Sequence, residues 1–250
     1  MLEFLQDPAF LKEINILVQN VPSDIAATLS STLLATLFSY VIGLPLGILL
    51  VVGETGGVRP LPRPFMSALN FVINILRSVP FLILMILAIP LSRIIVGTSV
   101  GTNALIPPLV IAAFPFVARM VESSLREVDP GVIEAAQAMG ASPFQIIWKV
   151  LLPEARPSLL TGGTTVIITI LSYGAMAGIL GGAGLGATAI NYGYYRRMYW
   201  VEYGAVILLV ILVQVIQSIG TGASVRWDHR IRRVSKKEWK KHKGEKAGME

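Results

Sequence analysis

Residues 129–157 read DPGVIEAAQAMGASPFQIIWKVLLPEARP and form a long amphipathic stretch between strongly apolar runs. Asp129 is suited to cap a helix that carries Pro130 in its first turn, where the missing N–H costs nothing. Gly140 tolerates the positive φ with which helices commonly end. The first half of the stretch therefore predicts a short helix that stops at Gly140. Its apolar face repeats at helical spacing and consists of Val132, Ala136 and Met139.

The second half of the stretch predicts another helix directly after the glycine turn. Ser142 and Gln145 match the S-x-x-Q capping box, and Pro143 stands at the first helical position. Pro153 is expected to end this helix, because a proline lacks the N–H that a continuing helix needs. Residues 129–157 as a whole thus predict a helical hairpin. The apolar face of its second helix consists of Phe144, Ile147, Trp148 and Leu151.

The composition is that of an integral membrane protein. Of the 250 residues, 54% are hydrophobic and only 14% are charged, and the mean hydropathy is +0.67. No polar stretch is long enough to build a separate soluble core. Cysteine is absent, and both histidines, His229 and His242, lie in a charged C-terminal tail. We therefore expect no disulfide framework, no metal site and no histidine-based catalysis.

The apolar runs predict an all-α integral membrane protein with five transmembrane helices. A start signal at Pro22-Ser23-Asp24 precedes the first run, and the second run is expected to be broken at Pro80. The runs have the length that about 30 Å of hydrocarbon requires. The predicted spans are 25–52, 65–89, 104–121, 159–180 and 203–219. The predicted division is an external N-terminal segment (1–24), a transmembrane domain (25–222) containing the 129–157 loop, and a basic tail (223–250).

The placement of Lys and Arg predicts the orientation, because cytoplasmic loops carry an excess of both. With the hairpin inside, sixteen Lys and Arg residues lie on inner segments and four on outer ones. We therefore expect the N-terminus outside and the C-terminus in the cytoplasm. Residues 226–250 alone carry ten Lys and Arg against four Asp and Glu. We expect this tail to meet anionic lipid headgroups rather than nucleic acid, because no fold for reading bases accompanies it.

Two patterns within the predicted spans suggest a transport path. Asn70, Asn74 and Arg77 lie at i, i+4 and i+7 on one face of the second span. This face either lines or supports a path, or it is a structural hydrogen-bonded cluster between helices. Tyr173 and Met176 precede a glycine-rich turn and either occlude the path or pack as ordinary apolar residues.

The hairpin also carries a known pattern. Glu134-Ala135-Ala136, then Gly140 and Leu152-Pro153, resemble the EAA loop of the membrane subunits of bacterial ATP-binding-cassette importers. The resemblance implies a type I importer permease fold in which this loop forms cytoplasmic coupling helices that sit in a groove of an ATPase subunit. The alternative is an ordinary amphipathic hairpin that lies on the membrane or on its own bundle.

Further stretches are similar to the methionine-uptake permeases within that family. They are VIGLPLGILL (41–50), NILRSVPF (74–81), IPLSRIIVGTSVG (89–101), FPFVARMVESSL (114–125) and AMGASPFQIIWKVLLPEARP (138–157). The basic tail and the long N-terminus depart from the pattern. The resemblance implies a homodimer in a bacterial cytoplasmic membrane, two copies of a separate ATPase and an external substrate-binding protein.

The sequence itself contains no catalytic constellation. There is no G-x-x-x-x-G-K-[ST] motif, so we expect ATP and Mg²⁺ on the partner ATPase and no cofactor on this chain. We therefore expect a transport subunit and not an enzyme. The alternatives are an importer of the same class with another amino acid or a small peptide as cargo, and an ion-coupled secondary carrier. The carrier is disfavoured because no acidic residue lies in the middle of a predicted span.

Overall fold

The computed structural model describes residues 8–227, without the side chain of Ala177. All regular structure in this part of the chain is helical. Residues 1–7 and most of the predicted basic tail (228–250) lie outside the described part. The helices are α1 (Pro8–Val52), α2 (Arg63–Ser78), α3 (Phe81–Val96), α4 (Thr102–Arg126), α5 (Pro130–Ala138), α6 (Pro143–Ile146), α7 (Leu152–Glu154), α8 (Arg156–Met176), α9 (Leu185–Thr188) and α10 (Tyr199–Trp227). Two π-helical segments (Ile147–Leu151 and Ala189–Tyr194) and a 3-10 turn (Ala177–Leu180) complete the set.

The first helix begins much earlier than the sequence predicts. The expected start at Pro22 to Asp24 is wrong, because α1 is continuous from Pro8 to Val52 and contains Pro22. Asp24 does not cap its own helix; its carboxylate accepts a hydrogen bond from the hydroxyl of Thr188. At 1.5 Å per residue, the 45 residues of α1 extend about 68 Å, more than twice the hydrocarbon thickness of a bilayer. The predicted segment 1–24 is therefore largely the first part of this helix.

The second predicted span, 65–89, is two helices that meet at a sharp angle. The break at Pro80 is present, and α2 and α3 are bent by 107° across it. Val79, which precedes the proline, has the extended backbone (φ −77°, ψ 129°) that this position favours. The predicted break at Pro80 is therefore confirmed, and residues 65–89 make one span only if the bent pair is counted together.

The remaining predicted spans coincide with observed helices. The predicted 104–121, 159–180 and 203–219 correspond to α4, to α8 with its 3-10 extension, and to α10. Four helices of the described chain are long and apolar enough to cross a membrane, and α2 with α3 makes a fifth if the bent pair counts as one span. The protein is thus an all-helical membrane protein with four or five candidate spans.

The core of the described part is organised around α4, which packs closely against α1. A Cβ atom at Gly43 would lie 2.7 Å from the Cβ of Val117, and one at Gly47 would lie 2.6 Å from the carbonyl oxygen of Ala118. Only glycine allows this approach of the two backbones. Ile170, on α8, completes the same core.

Candidate coupling site

The first hairpin helix, α5, is capped as its sequence predicts. The Asp129 carboxylate accepts a hydrogen bond of 2.8 Å from the backbone N–H of Gly131, and Pro130 opens the helix. Gly140 has a φ of +78°, and its N–H donates to the carbonyl of Gln137. Nothing lies within 4 Å of a Cβ atom built on Gly140, so its requirement comes from the backbone and not from crowding.

The second hairpin helix begins as predicted but does not end as predicted. The backbone N–H of Ser142 donates to the Gln145 side chain (2.8 Å), and the N–H of Gln145 donates to the Ser142 hydroxyl (3.4 Å). The end at Pro153 is wrong, because the chain continues from α6 through the π-helical segment into α7. The N–H of Leu152 donates to the carbonyl of Ile147, five residues back. This wider turn carries the helix past a proline that has no N–H to donate.

The hairpin exposes a largely apolar tip. Three large side chains project from it: Met139 is 81% exposed, Phe144 68% and Trp148 57%. Phe144 and Trp148 lie together, with ring centroids 6.0 Å apart. Glu134 and Ala135 are also exposed on α5. Exposed apolar side chains that lie together, as Phe144 and Trp148 do, are typical of a protein-binding site.

The opposite side of the hairpin is anchored in the core. Ala136, Ile146 and Leu151 are almost completely buried. They belong to the same hydrophobic cluster as Leu125, in the last turn of α4, and Val128, two residues beyond its end. A force applied to the exposed tip would therefore reach α4 through close-packed side chains, which transmit displacement because they compress little.

A polar cluster centred on Arg119 lies near the same end of α4. Its guanidinium donates two hydrogen bonds of 2.8 Å to the side-chain oxygens of Asn70 and Asn74 on α2. It also forms an ion pair of 2.6 Å with Glu122, one turn further along α4. Two of the three residues of the predicted polar face, Asn70 and Asn74, thus contact another helix, and Arg119 is their partner.

The cluster extends to the loop that follows α1. The Arg126 guanidinium lies 3.0 Å from Glu122 and 2.8 Å from Glu54. Arg126 and Glu54 are each about half exposed, so their pair contributes little stability. The Arg119–Glu122 pair is much less exposed, at 19% and 13%. The cluster as a whole joins the end of α1, α2 and α4.

Comparisons with known proteins identify this arrangement. Residues 43–233 match the family described as binding-protein-dependent transport system inner membrane component. The chain belongs to this family. Its relatives include the probable D-methionine transport system permease protein MetI of Vibrio cholerae, 51% identical over 191 residues that cover 76% of this chain and 84% of the relative. The D-methionine transport system permease protein MetI of Escherichia coli K12 is 48% identical over 151 residues, which cover 60% of this chain and 69% of the relative.

Solved structures agree with this membership. A subunit in an inward-facing structure of the MetNI methionine ABC transporter is 43% identical, covers 83% of this permease and 95% of its own length, and superposes with a TM-score of 0.81. A chain of an amino acid ABC transporter crystallised with histidines has a TM-score of 0.70 at 20% identity. The second likeness supports the fold alone.

The residues predicted to line a path in this permease do not form one group. Asn70 and Asn74 contact Arg119, whereas Arg77 makes no hydrogen bond or ion pair with another described residue. Tyr173 stacks on Phe81, with ring centroids 4.0 Å apart and planes 9° apart. Met176 ends α8 and is 44% exposed. Met176 and Arg77 are thus accessible, and Tyr173 is occupied in packing.

The spacing of Arg119 with Glu122, and of Arg126 with Glu127, at the inner end of the third predicted span predicts pairs with each other or with the ATPase. The bonds from Arg119 to α2 and the contribution of Glu54 are not predicted by the sequence. The local signals were present, since Arg119 and Glu122 are spaced i, i+3 and Asn70 and Asn74 are spaced i, i+4. The pairing across 45 and 49 residues of chain could not be read from them. Within residues 8–227, no group of three or more His, Cys, Asp or Glu side chains lies close enough together to hold a metal ion.

Proposed function

We propose that this permease is the membrane-spanning subunit of an ATP-driven methionine importer, and that it forms the translocation path and couples it to a separate ATPase subunit. The observation that carries the coupling part is the hairpin, which exposes an apolar tip and anchors its other face in the cluster around α4. The methionine cargo is supported by the names of the relatives and of the MetNI neighbour.

The coupling residues we assign differ in what they touch. Glu134 and Ala135 are exposed and are offered to the ATPase, where a small Ala135 side chain lets another backbone approach closely. Ala136 is 4% exposed and seats α5 on the core. Gly140 sets the angle between the two hairpin helices through its positive φ. Two further residues, Leu152 and Pro153, are half-buried and join the hairpin to α8.

The proposed assembly contains two copies of this chain, two copies of the ATPase and an external substrate-binding protein. ATP and Mg²⁺ would bind to the ATPase, and this chain would carry no cofactor. The assembly is supported by the family description and by the likeness to a subunit of the MetNI transporter. Lipid surrounds the apolar faces, of which α10 has the least burial within the chain. No nucleic acid is involved.

The proposed location is the bacterial inner membrane. Counting α2 and α3 as one crossing gives five crossings, with the N-terminus outside and the C-terminus in the cytoplasm. The Lys and Arg distribution supports this orientation, since it puts sixteen of these residues on inner segments. The coupling hairpin then faces the cytoplasm, where an ATPase can bind it.

The proposed path uses the predicted residues in two ways. Met176, which is accessible at the end of α8, is a residue that can narrow the path near its outer end. Tyr173 holds α8 against Phe81 and so positions Met176 one turn away. Asn70 and Asn74 fix α2 to α4 through Arg119 and support the path without lining it.

The test is uptake of labelled methionine into vesicles that contain this chain, its ATPase and its binding protein. We expect uptake to require ATP and to be competed by methionine-like compounds only. ATP-dependent uptake of a different amino acid or of a peptide would keep the coupling role and overturn the cargo. Uptake driven by an ion gradient without the ATPase would overturn the whole proposal.

A further inference from the structure

Arg77 is a charged residue that the described part of the chain, residues 8–227, leaves without a partner. It lies in the last turn of α2, is exposed, and forms no ion pair with a described residue. It shares a cavity of about 400 Å³ with Arg119, between α2, α4 and α8. A charged side chain within the hydrocarbon region of a membrane costs free energy unless water or an opposite charge faces it. The Arg77 guanidinium therefore makes this cavity attractive to an anion.

The carboxylates near Arg119 already form ion pairs with other arginines and so do not neutralise Arg77. Glu122 pairs with both Arg119 and Arg126, and Glu54 pairs with Arg126. The Nε atom of Arg119 is buried and has no hydrogen-bond partner in the described chain. Of the two arginines that line the cavity, the one whose charge no described carboxylate matches is Arg77.

A line of hydroxyl groups leads from this cavity along α8. Thr161, Thr165 and Ser172 are exposed on one face of the helix, and Met176 lies on the same face beyond them. Each hydroxyl donates to the carbonyl four residues back, at 3.0–3.2 Å, and the Thr161 hydroxyl also lies 2.8 Å from that of Ser224 on α10. A hydroxyl oxygen has two acceptor lone pairs. The hydroxyl oxygens can therefore still accept hydrogen bonds. Because these oxygens can accept hydrogen bonds from water and not from hydrocarbon, the face suits a water-filled path.

Negatively charged side chains line a neighbouring cavity that shares hydroxyl groups with the Arg77 cavity. A second cavity of about 300 Å³ contains Glu127 and Glu154 and shares Ser124, Ser158 and Thr161 with the first. The first cavity also presents the apolar side chains of Phe116 and Met120. Positive, negative and apolar groups around a hydroxyl-lined space complement a zwitterionic amino acid with an apolar side chain.

We propose that Arg77 contacts the carboxylate of the amino-acid cargo as it moves along the hydroxyl face of α8 towards the cytoplasm. This inference rests on the proposed function and names a cargo-binding residue for it. A lipid phosphate could also attract Arg77, and the two sources of the anion differ in one respect. A cargo contact requires that α8 face water beside Arg77, and a lipid contact does not.

The absence of cysteine from the chain allows a direct test. Thr165→Cys, in the complete nucleotide-free transporter, is treated with an anionic and a cationic water-soluble thiol reagent. We expect both to react and the anionic reagent to be favoured. Adding Arg77→Gln should lower the anionic-to-cationic ratio roughly fivefold, the scale of one unit charge acting with opposite sign on two reagents across several ångströms of water. Val210→Cys, on an exposed apolar face of α10, is the control and should not react.

The outcomes separate the possibilities. An unreactive Thr165→Cys would overturn the hydroxyl-lined path. If the cysteine reacts but Arg77→Gln does not change the anionic-to-cationic labelling ratio, the role of Arg77 is overturned and lipid is indicated as its partner. The labelling does not depend on transport. Labelling of Thr165→Cys as expected, together with a wild-type transporter that imports no amino acid with ATP, would therefore overturn the proposed function instead.

Uptake supplies the second measurement. Arg77→Gln should lower the maximal ATP-dependent uptake rate roughly tenfold, the scale of one lost charge-assisted hydrogen bond, and Arg77→Lys should recover part of it. Arg93→Gln is the matched control, because Arg93 is also exposed and lies in the last turn of the neighbouring α3, away from the cavity. Normal uptake with Arg77→Gln, or an equal loss with Arg93→Gln, would contradict the inference.

Discussion

The hairpin and the Arg119 cluster hold the same end of α4, the hairpin through apolar packing and the cluster through hydrogen bonds and ion pairs. The hairpin buries Ile146 and Leu151 among the side chains of α4 and needs no partner charge. The cluster depends on Arg119, which bonds Asn70 and Asn74 on a different helix. One attachment is built from a continuous segment and the other from residues far apart in the chain.

This difference has a consequence for function. A hairpin that is anchored by packing and exposed at its tip can move as a unit with α4 when a partner pulls it. A cluster of directional bonds between α2 and α4 instead opposes a change in the angle between those helices. We therefore expect changes at the hairpin surface to affect transport more than stability, and changes at Arg119 to affect stability first.

The largest expected effect is at the hairpin turn. Gly140→Asp should leave the protein in the membrane and lower ATP-dependent uptake at least about tenfold, because it adds a charge at the proposed ATPase contact and a strain of about 1–2 kcal/mol at φ +78°. Gly56→Asp is the matched control, since Gly56 also has a positive φ (+93°) and open space around it. Uptake, ATPase activity and membrane expression are measured together.

Normal methionine import by Gly140→Asp at normal expression would contradict the coupling role of the hairpin. A similar loss with Gly56→Asp would mean that backbone strain alone, and not the hairpin surface, accounts for the effect. Continued ATP hydrolysis without uptake in Gly140→Asp is the pattern that a coupling role requires.

The second prediction separates the anchor of the hairpin from its tip. Leu151→Ala should destabilise the protein by about 2–5 kcal/mol, because Leu151 is 1% exposed in the core. Met139→Ala should change stability by less than about 0.5 kcal/mol, because Met139 is 81% exposed, and should weaken binding of the ATPase. Unfolding of the purified chain and ATPase co-purification are the two measurements. Equal destabilisation by both variants would contradict the division into anchor and tip.

The hairpin could be predicted from sequence because its determinants are local. Asp129, Gly140 and the Ser142–Gln145 capping box each act within three residues of themselves, and the structure confirms all of them. Pro153 failed as a stop signal because a π-helical turn carries the helix past it. The rule that proline ends a helix assumes regular α geometry, and one wider turn is enough to evade it.

The other failures involve partners that are distant in the chain. Asp24 was predicted to lie at a helix start, but its carboxylate accepts a hydrogen bond from Thr188, 164 residues further along the chain. The face of Asn70 and Asn74 was visible in the sequence, and its partner Arg119 was not. The spacing of apolar residues predicts that a helix forms. Which residues contact its polar face depends on the tertiary structure.

The third prediction concerns the strength of the cluster. Arg119→Gln should destabilise the protein by about 2–4 kcal/mol, because it leaves the poorly exposed Glu122 without its nearest charge and breaks two further hydrogen bonds. Arg126→Gln should cost less than about 1 kcal/mol, because that side chain is 47% exposed. Thermal unfolding of the two variants in the same detergent gives the comparison. A larger loss from Arg126→Gln would show that the outer ion pairs, and not the bonds to α2, hold the cluster together.

The smallest effect tests whether Asn74 and Arg119 act as a unit. Asn74→Ala alone should cost about 0.5–1 kcal/mol, the usual scale of a hydrogen bond between membrane helices. Combined with Arg119→Gln it should cost less than the sum of the single changes, since the bond of 2.8 Å can be lost only once. Asn74→Ala with Arg93→Gln is the control pair, and its two effects should add, because Arg93 forms no hydrogen bond or ion pair with the cluster in residues 8–227. Additive effects in the first pair would mean that the bond to Asn74 does not stabilise the permease, and that α2 is held to α4 by the packing of Ile73 near Ala118 instead.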